Sequence, residues 1–189
     1  MKKKINTSIF ISGKGSNLKS LIQFSLLKNS PIKISIIITD NLKAKGLKYA
    51  NKYKIKKKII RFNDKRIAEN KVLKILTHNN VELICLAGFM KILSKTFIKK
   101  FKGKILNIHP SLLPKYKGLN THQRAIKNKE KFSGCTVHLV NHKLDSGKII
   151  LQKKVRILKY DNPASLSKRI LKQEHRLYPK AIRKILVNF

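Results

Sequence analysis

Apolar residues fall in short runs between lysine-rich stretches, and their period changes along the chain. Thr7 to Ser12 is a β-branched and aromatic run that stops at Gly13, which predicts a first strand. From Asn17 the period lengthens. Leu18, Leu21, Ile22 and Leu26 share one face of a helix, and Pro31 ends it. Ile32 to Thr39 is apolar almost throughout, as in a strand buried on both faces. A helix over Ala44 to Tyr53 and a strand over Lys58 to Phe62 follow. Next come a helix over Ile67 to Asn79, with Val72, Leu73 and Leu76 inward, and a buried strand over Leu83 to Leu86. The order βαβαβαβ predicts a parallel sheet with helices on both faces.

After Gly88 the pattern changes. Phe101 to Asn107 leads into a strand over Ile105 to His109, and a loop with Pro110, Pro114 and Gly118 follows. Thr136 to Val140 and Ile149 to Ile157 alternate as sheet strands do. Asn162-Pro163 opens a last helix through Leu186, with the proline in its first turn. No repeat, linker or internal boundary interrupts the chain. The expectation is α/β: one domain over residues 1–189, an open, twisted, mostly parallel sheet flanked by helices.

Charge is the anomaly. Lys and Arg number 45 against eight Asp and Glu, a formal net charge of +37. Such an excess is the footprint of nucleic acid or an anionic membrane surface. Yet the lysines are spread through every element, and their longest runs, Lys56-Lys57-Lys58 among them, are three residues. No nucleic-acid-binding motif accompanies them. Lys, Ile and Asn are abundant together and share A/T-rich codons, so the charge reads as compositional drift on the solvated face, without a specific nucleic-acid partner. Cys85 and Cys135 lie far apart in apolar contexts and form no CxxC, as reduced core residues would. No apolar stretch approaches the ~20 residues of a membrane span. Met1-Lys2-Lys3-Lys4 resembles a signal n-region, but the apolar run behind it is short and ends in a glycine turn. A cytoplasmic protein with no membrane partner is expected.

Two places carry candidate chemistry. Gly13-Lys14-Gly15-Ser16-Asn17 joins the first strand to the first helix, the junction where open α/β sheets bind anions. It has neither GxGxxG nor GxxxxGK[ST], so one phosphate fits better than a dinucleotide. The bland alternative is a tight turn with nothing bound. The second place is Asn107-Ile108-His109-Pro110 at the end of a strand, where alternation puts Asn107 and His109 on one side. Asp145 lies in a turn-like stretch and is one of few acids. A carboxylate beside a histidine favours its imidazolium, and an amide can donate to an oxyanion. Together they suit acyl transfer to an amine, with Asn107 polarising the carbonyl, His109 managing the proton and Asp145 tuning His109. Taken singly, each has an ordinary structural explanation, and spacing alone does not bring Asp145 to His109. The other histidines form no HExxH, and no metal is expected.

Four segments carry a resemblance running nearly end to end: Ile11 to Leu18, Leu86-Ala87-Gly88-Phe89-Met90-Lys91-Ile92-Leu93, Asn107-Ile108-His109-Pro110-Ser111-Leu112-Leu113-Pro114, and Gln173-Glu174-His175. The chain resembles the folate-dependent phosphoribosylglycinamide formyltransferases. The third segment is specific to folate formyl-transfer enzymes; the first and last point to this member. The resemblance implies a Rossmann-like formyltransferase fold and direct transfer of a formyl group from 10-formyltetrahydrofolate to the amine of glycinamide ribonucleotide in purine synthesis. It implies that Gly15, Ser16 and Asn17 hold the acceptor's phosphate and that Glu174 holds its polar part. Met90, Lys91, Ile92 and Leu93, with Asn107 and more weakly Lys65, would hold the folate. Asn107, His109 and Asp145 would be catalytic. It also implies a cis Leu113–Pro114 bond.

The chain departs from the family at several points. Lys91 stands where the family has Arg, losing a bidentate fork. Asn120 stands for a His, although His122 is near, and Ser146-Gly147-Lys148 replaces Gly-Gly-Pro. Methionyl-tRNA formyltransferase is the nearest rival; it carries a second domain for which the chain has no room, and it lacks the Gly-Ser-Asn turn. Formyltetrahydrofolate deformylase would carry an extra N-terminal domain. A non-enzymatic nucleic-acid binder is the rival of a different class. A monomer or a homodimer is compatible with the sequence.

Overall fold

The computed structural model describes residues 3–186; Met1 and Lys2, the start of the basic N-terminal run, lie outside them. Thirteen elements follow in chain order: β1 (Ile5–Ile11), α1 (Ser16–Ser25), β2 (Ile32–Thr39), α2 (Leu47–Lys52), β3 (Lys57–Ile59), α3 (Lys65–His78), β4 (Leu83–Leu86), α4 (Lys95–Lys100), β5 (Lys104–His109), α5 (Thr121–Lys127), β6 (Phe132–Leu139), β7 (Ile149–Arg156) and α6 (Pro163–Leu186). The strands form one mostly parallel sheet in the order β3-β2-β1-β4-β5-β6-β7. The chain divides into two compact units, residues 1–106 and 107–189.

In the first unit β1 pairs in parallel with β2 and β4, and β2 with β3. Ile9, Phe10, Ile11, Ile37, Ile38 and Ile84 are wholly buried, as the unbroken apolar runs require. Each such side chain contributes roughly 1.5–3 kcal/mol by leaving water. Ser8 is buried among them because its hydroxyl donates to the Ile36 carbonyl at 3.1 Å. α1 turns Leu18, Leu21 and Ile22 inward. Leu26 departs from the expected stripe: the helix stops at Ser25, and Leu26 caps it with 66% of its surface exposed. α3 begins at Lys65, N-capped by the Asp64 carboxylate on the Ile67 N–H.

Several boundaries differ from the pattern, and β6 begins at Phe132, four residues ahead of the expected start. α2 begins only after Gly46, and β3 shrinks to three exposed residues at the sheet edge. α4 and α5 had no sequence signal. Each buries little, Phe97 in α4 and Thr121 with Ala125 in α5, so neither has an apolar stripe to read.

In the second unit β6 and β7 form an antiparallel pair, and α6 packs on both. α6 is opened by a reciprocal cap: Asn162 Oδ1 accepts from the Ser165 N–H, and Ser165 Oγ accepts from the Asn162 N–H. Its buried face runs Leu166, Ile170, Glu174, Leu177, Tyr178, Ala181 and Ile182, the spacing of one helical stripe. Among the described residues no helix is long and apolar enough to cross a membrane.

Candidate active site

The strand alternation of β5 puts Asn107 and His109 on one side, and β6 sends His138 to meet Asn107. Asp145 arrives from the loop between β6 and β7, with a left-handed φ of 45°. The loop is held tightly to its strand. Gly147 passes so close to Leu139 that a Cβ would sit 1.7 Å from that carbonyl oxygen. Ser146, a departure from the family, donates to Asn141 Oδ1 at 3.0 Å and braces the turn.

The Asp145 carboxylate gathers the group. Oδ2 lies 3.3 Å from His109 Nδ1 and accepts the Gly118 N–H at 2.9 Å. Oδ1 accepts from Asn107 Nδ2 at 3.3 Å and lies 3.7 Å from His138 Nε2. Burial raises the pKa of this carboxyl, but the His138 imidazole, the Gly118 N–H and the His109 imidazole outweigh it. The net pKa is below the usual aspartate value, so Asp145 is an anion at neutral pH.

Hydrogen-bond logic sets the imidazoles. Carbonyl oxygens only accept, so His109 Nε2 donates to Tyr116 O at 2.9 Å and His138 Nδ1 donates to Leu139 O at 2.8 Å. His138 Nε2 lies 3.2 Å from Asn107 Nδ2. The Asn107 amide nitrogen thus lies against both His138 and Asp145, and turning the amide over would set its oxygen against the Asp145 carboxylate. His109 is pushed below the ordinary histidine pKa by burial, although Tyr116 O and Asp145 pull the other way. It is therefore mostly neutral at pH 7 and able to take a proton.

The Ser-Leu-Leu-Pro turn after β5 has its cis Leu113–Pro114 bond, as expected. Thr136 and Gln152 hold it: Thr136 Oγ1 donates to Ser111 O at 2.6 Å and accepts the Leu113 N–H, and Gln152 Nε2 donates to Leu113 O at 2.7 Å. Asn120 adopts a left-handed φ of 56° at the start of α5. His122 follows it, part-buried, its pKa lowered by burial and by His109. Glu174 is buried on α6, where its charge adds to burial in pushing the Cys135 thiol up to about 12. His138 and His142 stand four residues apart, but β6 ends between them. Among the described residues no group of three His, Cys, Asp or Glu side chains is gathered around a metal-sized site.

In the first unit, Gly15 opens α1 with φ 74° and no side-chain cap. It lies so near Gly46 that a Cβ would stand 2.5 Å from the Gly46 Cα, and the Gly46 N–H donates to Gly13 O at 3.0 Å. The turn therefore needs glycine at both positions, and Gly46 escaped the sequence reading because it lies a full strand away. Ser16 and Asn17 form the first turn of α1. In the loop after β4, Leu93 is buried while Met90 and Ile92 are 62% and 59% exposed, and Lys91 reaches to 3.8 Å from Asp40. Lys65 is exposed at the start of α3; the contact from α3 to this loop is made by Glu69 on Ser94.

With this geometry in view, comparison with known proteins places the chain. A family model described as Formyl transferase matches residues 5–182. The phosphoribosylglycinamide formyltransferase of Haemophilus influenzae is 41% identical over 179 residues, covering 93% of this chain and 84% of that protein. The human trifunctional purine biosynthetic protein adenosine-3 is 39% identical over 184 residues, 96% of this chain, which spans only 18% of that longer protein. The crystal structure of phosphoribosylglycinamide formyltransferase from Brucella melitensis superposes with a TM-score of 0.92 at 42% identity, covering 97% and 96% of the two chains. A buried Asn-His-Asp group on an open α/β sheet, the cis-proline turn beside it and these end-to-end likenesses agree: the chain belongs to the phosphoribosylglycinamide formyltransferases of the formyl transferase family.

Proposed function

We propose that this protein transfers the formyl group of 10-formyltetrahydrofolate to the amine of glycinamide ribonucleotide, giving formylglycinamide ribonucleotide and tetrahydrofolate in purine synthesis. The observation that carries the reading is the Asp145 carboxylate within 3.3 Å of both the His109 imidazole and the Asn107 amide. The amine attacks the formyl carbon, the bond from that carbon to the folate nitrogen breaks, and one proton passes from the amine to that nitrogen. His109 Nε2 leaves Tyr116 O and, with the ring's own proton now on Nδ1 against Asp145, takes the proton of the attacking nitrogen at Nε2. Asp145 stabilises the imidazolium until the proton is handed on. Asn107 turns an N–H from His138 to the developing oxyanion.

Gly15, Ser16 and Asn17 bind the acceptor's phosphate at the start of α1, where N–H groups are free of a side-chain cap. Glu174 holds the acceptor's polar part. Met90 to Leu93 form the folate-binding loop, with Lys91 as its charge and Lys65 at most a distant contact. We take residues 1–189 as one formyltransferase domain, acting in the cytoplasm as a monomer or homodimer, without metal, membrane or specific nucleic-acid partner. The test is direct. Purified protein is mixed with both substrates and the formylated nucleotide is sought by mass spectrometry, with His109→Ala alongside. Product from the wild type and almost none from the variant supports the assignment; no product from folded wild-type protein refutes it, and initiator methionyl-tRNA becomes the next acceptor to try.

A further inference from the structure

Ser12 and Asp40 each stand immediately after a buried strand, β1 and β2, and neither belongs to the phosphate turn or the folate loop. All the polar atoms of Ser12 are engaged. Its N–H donates to Gly88 O at 3.0 Å, and its carbonyl accepts from Asn41 Nδ2 at 3.0 Å. Its hydroxyl donates to Asp40 Oδ1 at 2.5 Å and accepts the Met90 N–H at 2.8 Å. A hydroxyl has one proton and two lone pairs. Asp40, acceptor only, takes that proton and so leaves a lone pair for Met90. The other Asp40 oxygen lies 3.8 Å from the Lys91 ammonium. At the far end of the same loop, the buried Glu69 carboxylate accepts both the N–H and the hydroxyl of Ser94. Phe89 is wedged edge-on against Phe10 and Phe62. The exposed Met90 to Ile92 segment is thus carried on a frame of buried polar bonds.

Resting on the folate-loop reading above, we infer that Asp40 and Ser12 are positioning residues for the formyl donor: Asp40 orients the Ser12 hydroxyl, and Ser12 fixes the Met90 backbone against which the folate binds. Neither touches the reacting atoms. The loop is held in its binding shape before the donor arrives, so the cost of ordering it is not taken from binding.

The test measures tetrahydrofolate and glycinamide ribonucleotide binding separately by calorimetry, with steady-state kinetics, on wild type, Ser12→Ala, Asp40→Ala, Asp40→Asn and the Ser12→Ala/Asp40→Ala double variant. Loss of a charge-assisted buried bond predicts tetrahydrofolate binding weakened about tenfold in each alanine variant. The Michaelis constant for the donor follows it, with acceptor affinity and kcat little changed. Asp40→Asn, whose amide oxygen still accepts the Ser12 hydroxyl but without the charge, falls between wild type and Asp40→Ala. The double variant is no worse than either single one, because the two act as a unit. Equal weakening of both ligands, no weakening, additive losses, or an Asp40→Asn as impaired as Asp40→Ala overturns the inference. Wild-type protein that binds neither ligand refutes the functional reading itself, and this inference falls with it; failure among the variants of an active wild type refutes the inference alone.

Discussion

Replacing Asp145 by Asn removes one charge with almost no change of shape, and the structure says what that costs. Oδ2 stands 3.3 Å from His109 Nδ1. Unit charges at that distance attract by about 5 kcal/mol at an effective dielectric near 20. If about half a charge has developed on the imidazole at the transition state, the loss is about 2.5 kcal/mol, roughly a hundredfold in kcat. The amide brings a second fault. Its NH2 cannot occupy the Oδ2 place, because the Gly118 N–H already donates there. In the Oδ1 place it faces the Asn107 NH2, and Asn107 can answer only by turning its amide over, which takes its NH2 away from His138 Nε2. The carboxamide expected to polarise the formyl group is then misaligned, so the hundredfold loss is a lower bound. The assay is kcat with saturating substrates beside a thermal melt and a circular dichroism spectrum. A kcat within threefold of wild type in a folded Asp145→Asn protein would refute the charge coupling of Asp145 to His109.

His109 has a folded pKa below its unfolded value of 6.5, so the folded state resists protonation; stability falls as pH drops below about 6.5 and levels off below the folded pKa. The acid limb of kcat/KM should accordingly lie below pH 6.5, and a limb above 7 would count against His109 as the proton acceptor. Asp145 has the same sense at lower pH: its stabilisation is whole above the unfolded pKa of 3.8 and is lost as pH falls through the lower folded value, which an acid melt of Asp145→Asn against wild type would read as a shallower decline. Gly15→Ala puts a Cβ 2.5 Å from the Gly46 Cα at a positive φ; it should cost about 1–2 kcal/mol of stability in denaturant titration and raise the Michaelis constant for glycinamide ribonucleotide, and an unchanged constant would remove the turn from the acceptor site. Michaelis constants for both anionic substrates should rise with ionic strength on a protein of net charge +37, and flat values from low to physiological salt would dismiss electrostatic steering.

The parts of the fold legible beforehand are those where burial alone decides. β1, β2 and β4 read as strands because the stretches Ile9 to Ile11, Ile36 to Ile38 and Leu83 to Leu86 are buried and unbroken apolar runs. β3 and α4 lie where little is buried, and there the lysine-rich background masks any period; α4 is set instead by the Ser94 cap, which accepts the Phe97 N–H. The candidate catalytic group was legible in halves. Alternation paired Asn107 with His109, whereas Asp145 stood out only as one of few acids in a turn-like stretch, because a turn joining two distant strands leaves no periodic trace of what it meets. His138 went unread as a partner of Asn107. Its one signal was strand alternation with Thr136, and a buried histidine on a strand is an ordinary core residue until the neighbour across the sheet is known. Ser12 and Asp40 were equally silent: each ends an apolar run, a place where any polar residue would serve.

The acids show how a chain with so few of them keeps a working site. Asp40, Glu69 and Asp145 each accept hydrogen bonds from a loop they hold in place, while Asp64 caps α3 and Asp161 takes the Leu158 N–H ahead of α6. Such tasks need an acceptor that never donates, which lysine cannot supply. No helix whose first turn is described carries an acid there, whereas α2, α4, α5 and α6 end in Lys or Arg, the sign that suits a helix C-terminus. Lysine enrichment is therefore tolerated at the end of a helix that welcomes cations and leaves the other end without an anion. α3 and α4 satisfy that other end with Asp64 and Ser94. α1 does not: it starts at a glycine that has no side chain to offer, and its ten residues point an uncapped end at the turn. α2 and α5 also lack a side-chain cap, at Gly46 and Asn120; the start of α1 is proposed as the phosphate site because, of the three, it opens the longest helix and does so at the glycine turn.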